Sequence, residues 1–455
     1  MLKPVNETVD IQAEYKKKLV SAEEAVKVVK SGDWIDYSHN IGQPIALDKA
    51  LAARCDEADL TGLKFRSCMR LYDLKVMKSK NAKTFAWNSW HQAVTDRKLN
   101  DAGLGYYIPI RLSEGTRYYR ENNEVDVVMF RVSPMDEHGW FGLGPNMTWL
   151  MGVLDKATTI IFEVNKNVPR VLGGYDDKLH ISQIDYVVES DNEPMPVLPN
   201  APSSEVDRKV AKLIVEEIPN GACLQLGIGG MPNAVGELIA ESDLKDLGVH
   251  TEMYVDGLYK LAMAGKVTGL KKNIDRGLQV YCFATGSEAL YRYIDNNPGL
   301  KAVPDGYSNE PRVIAQLDNF ISINSCVNVD LYGQISSESQ GFRQISGTGG
   351  QLDFVLGAYM SKGGKSFICM PSTYKDEKGE RQSRIVPFME PGTVITCPRT
   401  TTHWVVTEHG KVNLKGKTTW ERAELLISIA DPKFQDVLIK QAEHQGIWYK
   451  SSKLL

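Results

Sequence analysis

Two glutamates stand in surroundings that could support covalent chemistry. Glu252 lies in an apolar, β-branched run with Val249 and Met253, where a carboxylate carries a desolvation cost unless it is paired or functional. Glu338 lies in the run SESQG at residues 337–341. A carboxylate can attack an activated carbonyl and form a covalent intermediate. On its own run alone, however, Glu252 fits a salt-bridged or edge-exposed side chain better.

Metal and disulfide chemistry find little support in the chain. The seven cysteines are scattered without any Cys-x-x-Cys pair, which favours buried thiols. The eight histidines lack metal-ligand spacing, and the cluster around His138 is better explained as a turn at Gly139. We therefore predict no metal site.

Two glycine clusters could supply backbone donors to an anionic ligand. The run GIGGMPN (residues 227–233) joins a predicted strand to a predicted helix, but Pro232 excludes a dinucleotide fingerprint. The run SGTGG (residues 346–350) has the backbone freedom to form a nest of N–H groups. A tight turn at the first and a flexible loop at the second are equally compatible with these residues.

The elements that would position these groups occur twice along the chain. A helix, a strand, a loop and a second helix follow each other around Gly32 and Pro44, and again around Gly221 and Pro232. Pro44 is predicted in the first turn of its helix, and Pro232 is predicted to begin the other. Four prolines at residues 192–204 predict a linker between the copies. We therefore predict two duplicated open α/β domains, residues 1–191 and 205–455, with largely parallel sheets covered by helices.

This architecture favours a functional role for Glu252. Strand ends and helix N-termini meet at one edge of a parallel sheet, so Glu252 could face the amides of residues 227–231. The glycine loop and the carboxylate would then form one site.

Composition narrows the classes of partner. The 455 residues carry a net charge of -4 without a basic block, which argues against nucleic-acid binding. No apolar run approaches the roughly 18 residues of a membrane span, and the first residues lack a signal-peptide core. A cytoplasmic protein without a membrane partner is expected.

Several motifs resemble one enzyme family, from about residue 15 to the C-terminus. They are GIGGMPNAV from residue 227, DLGVHTEM (246–253), SPMDEHG (133–139), DLYGQ (330–334), ISGTGGQLDF (345–354) and VVTEHGKVNLKG (405–416). These runs resemble the acetyl-CoA hydrolase/transferase family of class I coenzyme A (CoA) transferases, and most of all its members that act on butyryl-CoA and acetate.

The resemblance implies a ping-pong reaction between a short-chain acyl-CoA and a small carboxylic acid. It implies Glu252 as the nucleophile, which would carry CoA as a glutamyl-CoA thioester, and the amides of Met231 and Gly350 as oxyanion donors. It further implies CoA as a substrate, no tightly bound cofactor and a homo-oligomer. The implied CoA-binding residues are Gly229, Gly230, Met231, Pro232, Asn233, Ala234, Val235, Ser346, Gly350 and Lys362.

Alternatives remain open at this point. Glu338 resembles the glutamate-glycine motif of other CoA-transferases and is a rival nucleophile. The loop SHNIGQP (residues 38–44) is rich in polar donors, and Glu288 adds a carboxylate near a glycine, so a polar or dicarboxylic acceptor such as 4-hydroxybutyrate or itaconate is an alternative. An acyl-CoA hydrolase and a non-catalytic CoA-binding protein are the two other functions to be distinguished.

Overall fold

A computed structural model of the chain describes residues 2–174, 176–198, 202–227 and 229–449. The chain divides into two compact units, Met1–Pro199 with Val280–Ser308, and Asn200–Gln279 with Asn309–Leu455. This division assigns residues 280–308 to the first unit, while the domain bounds at 191 and 205 stay a prediction. Residues 199–201 of the predicted linker lie outside the described residues.

The strands are numbered in chain order. They are β1 (Trp34–His39), β2 (Lys64–Cys68), β3 (Ala86–Ser89), β4 (Gly105–Tyr107), β5 (Val127–Val132), β6 (Trp140–Gly142), β7 (Thr159–Val164), β8 (Lys178–His180), β9 (Tyr186–Glu189), β10 (Cys223–Leu226), β11 (Gly248–Tyr254), β12 (Gln279–Ala284), β13 (Leu300–Ala302), β14 (Phe320–Ser325), β15 (Asn328–Asp330), β16 (Ile335–Ser336), β17 (Ser339–Gln340), β18 (Arg343–Gln344), β19 (Lys365–Cys369), β20 (Thr373–Lys375), β21 (Arg381–Ser383), β22 (Ile385–Val386), β23 (Trp404–Thr407) and β24 (Gly410–Asn413).

The α-helices are numbered in the same way. They are α1 (Ile11–Lys18), α2 (Ala22–Ala25), α3 (Ala46–Glu57), α4 (Val94–Asp101), α5 (Gly115–Asn122), α6 (Leu150–Lys156), α7 (Glu205–Val215), α8 (Gly230–Glu241), α9 (Asp256–Met263), α10 (Glu288–Ile294), α11 (Asp305–Ser308), α12 (Pro311–Ile314), α13 (Gln351–Met360), α14 (Thr419–Ser428) and α15 (Pro432–His444).

The first unit contains a seven-stranded sheet in the order β4-β3-β2-β1-β5-β7-β9. All of its neighbouring strands are parallel. The chain passes from β1 to β2 on one side and returns to β5 on the other side, so β1 lies at the point where the strand order reverses. In open α/β sheets, ligands bind at the carboxyl ends of the strands at such a point.

The core of this unit lies on the sheet face covered by α3. Tyr37 and Phe65 are fully buried there, and the ring of Trp87 lies 6.1 Å from that of Phe65. Leu47 and Leu51 of α3 are also buried and belong to the same cluster. This packing holds the carboxyl end of β1 against the start of α3.

The second unit repeats this arrangement. Its strands run in the order β11-β10-β14-β19-β23-β24, with β10, β11, β14, β19 and β23 parallel to their neighbours. Only the pairing of β23 with the edge strand β24 is antiparallel here. The strand β10 lies between β11 and β14, as β1 lies between β2 and β5.

The predicted fold class is therefore confirmed: each unit is an α/β structure with a largely parallel sheet, and the helix-strand-loop-helix order recurs. Two helix starts differ from the prediction. Pro232 is the third residue of α8, and Pro44 comes two residues before α3. Helix α8 begins early because Gly229 turns the chain at φ 121°, a left-handed conformation that glycine adopts without strain.

Candidate active site

Glu252 lies near the carboxyl end of β11, as the sequence predicts. The strand is buried at every position except Glu252, which is partly exposed. Val249 on one side and Met253 on the other are buried hydrophobic residues. The carboxylate is therefore the one polar group that this strand presents at a partly open position.

The carboxylate is held by an amide side chain. Asn309 Nδ2 donates a hydrogen bond to Glu252 Oε2 at 2.7 Å, and Asn309 is fully buried. Asn309 precedes α12, and α12 packs closely on α13 because Gly357 leaves room for Ile314. A Cβ atom at Gly357 would lie 2.5 Å from the Ile314 side chain. The packing of two helices thus places the Asn309 amide beside the carboxylate.

Gly350 packs directly against the Glu252 carboxylate and the Asn309 amide. It precedes α13, and a Cβ atom there would lie 1.9 Å from Glu252 Oε2 and 2.1 Å from Asn309 Nδ2. No side chain larger than hydrogen fits between these groups. The helix N-terminus of α13, with its partial positive charge, is therefore next to the Glu252 carboxylate.

The first glycine loop leads into α8. Residues 230–235 form the first turns of this helix, Gly229 is its N-cap, and Met231 is buried; Ile228 lies outside the described residues. Gly229, the N-cap residue, has no side chain that could cap this N-terminus. The loop therefore leads directly to a helix start whose backbone N–H groups favour an anion.

The second glycine loop is held by Glu338. Its carboxylate accepts hydrogen bonds from Thr348 Oγ1 at 3.0 Å, Thr396 Oγ1 at 2.9 Å and Gln344 Nε2 at 3.3 Å. Its backbone carbonyl accepts from the Ser346 N–H at 3.1 Å. Glu338 is 2% exposed, so its oxygens are occupied by the loop that leads to Gly350.

Lys362 is a predicted CoA contact that does not lie beside Glu252. It follows α13 and precedes β19, whose amino end pairs with the amino end of β14. Because β10, β11, β14 and β19 are parallel, Lys362 lies at the opposite edge of the sheet from Glu252, roughly 20 Å away at about 3.3 Å per strand residue. Helix α13 separates Lys362 from Gly350, and the assignment of Lys362 to CoA stays a prediction from the family resemblance.

Cysteine and metal chemistry find no support in the described part of the chain. Burial raises the pKa of the Cys223 thiol to about 12 and that of Cys369 well above its usual value, which keeps both thiols protonated. Among the described residues, no group of three His, Cys, Asp or Glu side chains is arranged to hold a metal ion. Within those same residues, no helix is long and apolar enough to cross a membrane.

Sequence reasoning missed Asn309. It stands directly before Glu310 and Pro311, which start α12, and that position reads as an ordinary helix start. No motif in its neighbourhood points to Glu252, 57 residues away. Only the packing of α12 on α13 reveals the contact.

The site and fold can now be compared with known proteins. The family model "Acetyl-CoA hydrolase/transferase N-terminal domain" matches residues 3–199, and its C-terminal counterpart matches residues 286–442. The chain is 53% identical to the butyryl-CoA:acetate CoA-transferase of Anaerostipes caccae, over 97% of this chain and 99% of that protein. It is 38% identical to the 4-hydroxybutyrate coenzyme A transferase of Clostridium kluyveri, over 94% and 97% of the two chains.

A solved structure agrees with these sequence comparisons. RipA from Yersinia pestis matches with a TM-score of 0.89 and 36% identity, over 96% of this chain and 100% of that chain. The fold and its relatives define a CoA-transferase. The chain belongs to the acetyl-CoA hydrolase/transferase family, which confirms the resemblance predicted from the motifs.

Proposed function

We propose that this enzyme transfers CoA between butyryl-CoA or a similar short-chain acyl-CoA and a carboxylate such as acetate, through a glutamyl-CoA thioester on Glu252. The observation that carries the proposal is the Glu252 carboxylate, held by Asn309 against Gly350 at the start of α13. The names of the relatives that share about half of its residues support these substrates.

The reaction needs four balanced steps. A carboxylate oxygen of Glu252 attacks the thioester carbonyl, the C–S bond breaks, and an acyl-glutamyl anhydride and CoA thiolate form. The thiolate attacks the glutamyl carbonyl, which releases the first acid and leaves the glutamyl-CoA thioester. The acceptor carboxylate attacks this thioester and expels the thiolate. The thiolate then attacks the acyl carbonyl of the new anhydride and frees Glu252.

Each attack develops negative charge on a carbonyl oxygen, which preorganised donors can stabilise. We assign this role to the backbone amides of Met231 and Gly350, at the starts of α8 and α13. Asn309 acts as a positioning residue, because its amide fixes one carboxylate oxygen of Glu252. The other oxygen would then make the attack.

The remaining assignments concern CoA and the setting of the enzyme. We propose that CoA is held by residues 229–235, at the start of α8 that Gly229 leads into, and by Ser346, in the loop that Glu338 fixes. Lys362, which follows the far end of α13, stays a proposed contact for a part of CoA distant from Glu252. A cytoplasmic location and a homo-oligomer are proposed from the family.

Glu338 is the weaker nucleophile candidate. Three side-chain donors and burial leave its carboxylate little freedom to attack a thioester. Glu252 accepts from an amide and is partly exposed. The difference in burial and in the loop contacts favours Glu252.

The nucleophile can be tested by trapping. Wild-type protein incubated with butyryl-CoA and borohydride should show a modified Glu252 in peptide mass spectra, and Glu252→Gln should show neither modification nor CoA transfer. The matched control is Glu338→Gln, which should still be modified at Glu252. Loss of trapping in Glu338→Gln alone, with the fold intact, would reverse the assignment.

A hydrolase is the second candidate function, because an acetyl-CoA hydrolase of Kluyveromyces lactis matches 96% of this chain at 26% identity. It needs the same glutamate, with water as the acceptor. Release of free CoA thiol should be measured with and without acetate. Thiol release without acetate, at a rate comparable to CoA transfer, would rule out the transferase.

A further inference from the structure

The loop that leads to Gly350 in the second unit consists largely of glycine. Three of residues 346–350 are glycines, and Gly349 has φ 51°, a left-handed conformation. Glycine restricts the backbone less than any other residue. A backbone donor lowers the barrier of a reaction only if it is held in place before charge develops. The Gly350 amide therefore depends on contacts from outside the glycines for its orientation.

Thr348 is the residue through which this loop is attached. Its Oγ1 donates to the Glu338 carboxylate, 3.0 Å from Oε1 and 3.1 Å from Oε2. Its carbonyl accepts the N–H of Gln351, the first residue of α13, at 3.3 Å. Only Gly349 and Gly350 lie between Thr348 and α13, so fixing Thr348 also fixes the two glycines that follow it.

The Glu338 carboxylate is itself held by a segment distant in sequence. Thr396 Oγ1 donates to Glu338 Oε1 at 2.9 Å and accepts the Ser337 N–H at 3.0 Å, which sets the direction of its hydroxyl. The Glu338 carbonyl accepts the Ile345 N–H at 2.8 Å. Glu338 is 2% exposed and Thr396 is 3% exposed, and both belong to the second unit together with the loop. The carboxylate is therefore a fixed, buried acceptor for the Thr348 hydroxyl.

We propose that Glu338 is a positioning residue of CoA transfer: by accepting the Thr348 hydroxyl, it holds the Gly350 amide in the orientation that stabilises the oxyanion. The inference rests on the proposed function, because it takes Glu252 as the nucleophile and Gly350 as an oxyanion donor. Glu338 forms no bond to substrate in this reaction. Its carboxylate orders the donor loop and leaves the attack to Glu252.

This role requires a carboxylate at residue 338. A carboxylate accepts at both oxygens, so it takes up the hydroxyls of Thr348 and Thr396 and the Gln344 amide together. A glutamine of the same size accepts at one oxygen and presents an NH2 group that donates. One of the three donors would then lose its acceptor. Glu338→Gln thus loosens the loop without removing side-chain volume.

The first test compares kcat with CoA affinity in Glu338→Gln. For transfer from butyryl-CoA to acetate, kcat should fall about tenfold, since a displaced donor stabilises the oxyanion less well. The Kd of free CoA, measured by calorimetry, should stay within about twofold, because the substitution keeps the backbone carbonyl that holds the Ser346 N–H. Borohydride should still trap Glu252, at a lower rate. An unchanged kcat would overturn the inference.

Variants of Thr348 show whether Glu338 acts through this contact. Thr348→Val removes the hydroxyl with little change in volume and should lower kcat by a similar factor. Thr348→Ser keeps a hydroxyl and should retain most of the activity. Glu338→Gln and Thr348→Val combined should cost little more than either alone, because both break one contact. Losses that multiply in the double variant would contradict the proposed role.

A second carboxylate in the same unit, that of Glu408, provides the matched control. It is 14% exposed, and it accepts the Ser372 hydroxyl at 2.6 Å and the Ser372 N–H at 2.8 Å. Glu408→Gln is the same chemical change outside the loop of Gly350, so kcat should stay near wild type, while the thermal midpoint of each variant reports folding. An equal loss of kcat in Glu408→Gln would show a general effect of buried carboxylates and would sink the inference.

Failure of the proposed function has a different signature. If Glu252→Gln still transfers CoA, the proposed nucleophile is wrong, whatever Glu338 does. Hydrogen exchange followed by mass spectrometry tests the anchor without catalysis. Peptides that contain residues 346–350 should exchange faster in Glu338→Gln than in wild type, and Glu408→Gln should leave them unchanged. Unchanged exchange in Glu338→Gln would overturn the inference even with the transferase established.

Discussion

In both units the same kind of turn joins a central strand to a helix, but the two helix starts differ in the groups that surround them. In each, the chain leaves a central strand where the strand order reverses and enters a helix: β1 to α3 in the first unit, β10 to α8 in the second. In the first unit a carboxylate side chain, that of Glu163, caps the helix start. Glu163 accepts hydrogen bonds from the N–H groups of Ile45 at 3.0 Å and Leu47 at 3.0 Å.

In the second unit the N-cap residue of the corresponding helix is Gly229, which has no side chain to cap the helix start and which bends the chain into it. A helix N-terminus that is already neutralised by a carboxylate offers little to an anion, whereas an uncapped one does. The two turns therefore differ in what they present: the first helix start is closed by the Glu163 carboxylate, and the second begins with a glycine. Duplicated topology alone does not say which turn binds which group.

The largest expected effect is a loss of kcat when Gly350, in the second unit, is replaced. Gly350→Ala places a methyl group where Glu252 and Asn309 now meet, so the carboxylate and the amide donor must move apart. Steady-state kinetics should show kcat lower by about 10²–10³-fold, the usual loss for a displaced oxyanion donor.

The matched control is Gly306→Ala in the first unit, whose nearest neighbour to a new Cβ is the Ser113 carbonyl at an ordinary 3.7 Å. Its kcat should stay near wild type. Comparable losses in the two variants would mean that the Gly350 effect is not specific to the active site.

The second prediction concerns the loss of stability when Glu163, which caps α3 in the first unit, is replaced. Burial raises the pKa of Glu163, which caps α3 and is the register partner of the buried Arg131 in β5. Glu163→Gln replaces one acceptor oxygen by a donor that faces the N–H groups at the start of α3, and buried donors are then left without acceptors. Denaturant unfolding should show a loss of about 2–3 kcal/mol.

Ser204→Ala removes an exposed cap, that of α7, and should cost only about 1 kcal/mol. If Glu163→Gln costs no more than this control, the cap is not what sets the first turn apart from the second.

The last prediction concerns the pH dependence of stability through Asp36, in the strand that leads into the same turn. Burial raises the pKa of Asp36 in β1 to about 7, although it accepts from the Tyr119 hydroxyl at 2.5 Å. The protonated carboxyl therefore favours the folded state, and this stabilisation is lost as pH rises from about 4 to about 7.

Asp36→Asn removes the titration. The free energy of unfolding of the variant, relative to wild type, should rise with pH across this window by at most about 1.4 kcal/mol per unit. Gln225, at the corresponding place in β10, is neutral already, so Gln225→Glu provides the reverse comparison. A pH-independent difference between Asp36→Asn and wild type would contradict the shifted pKa.

Much of the architecture could be predicted because its signals are local. Alternation of helices and strands, the glycine at each strand entrance and the apolar run around Glu252 all depend on residues close in sequence. They predicted the repeated α/β units and the strand that carries Glu252. Helix starts at α3 and α8 were less accurate, since Pro44 and Pro232 can each stand near a start without being the first residue.

The partners of Glu252 could not be predicted in this way. Asn309 reaches it across 57 residues, through the close contact of Gly357 with Ile314. Lys362 lies near Gly350 in sequence, yet α13 separates them by about 15 Å at 1.5 Å per helical residue. Separation in sequence therefore did not predict separation in space: Asn309 is distant in sequence but contacts Glu252, and Lys362 is close to Gly350 in sequence but distant in space.

The sequence by itself determined the chemical types: a glutamate in an apolar strand, two glycine loops and the motifs of a CoA-transferase family. Tertiary structure decided which of two glutamates stays accessible. Glu338 is occupied because Thr348 and Thr396, distant in sequence, converge on it, while helix packing leaves Glu252 partly exposed beside an amide and a helix start. Whether a carboxylate can act as a nucleophile depends on these long-range contacts, since they set its hydrogen bonds and its access to substrate.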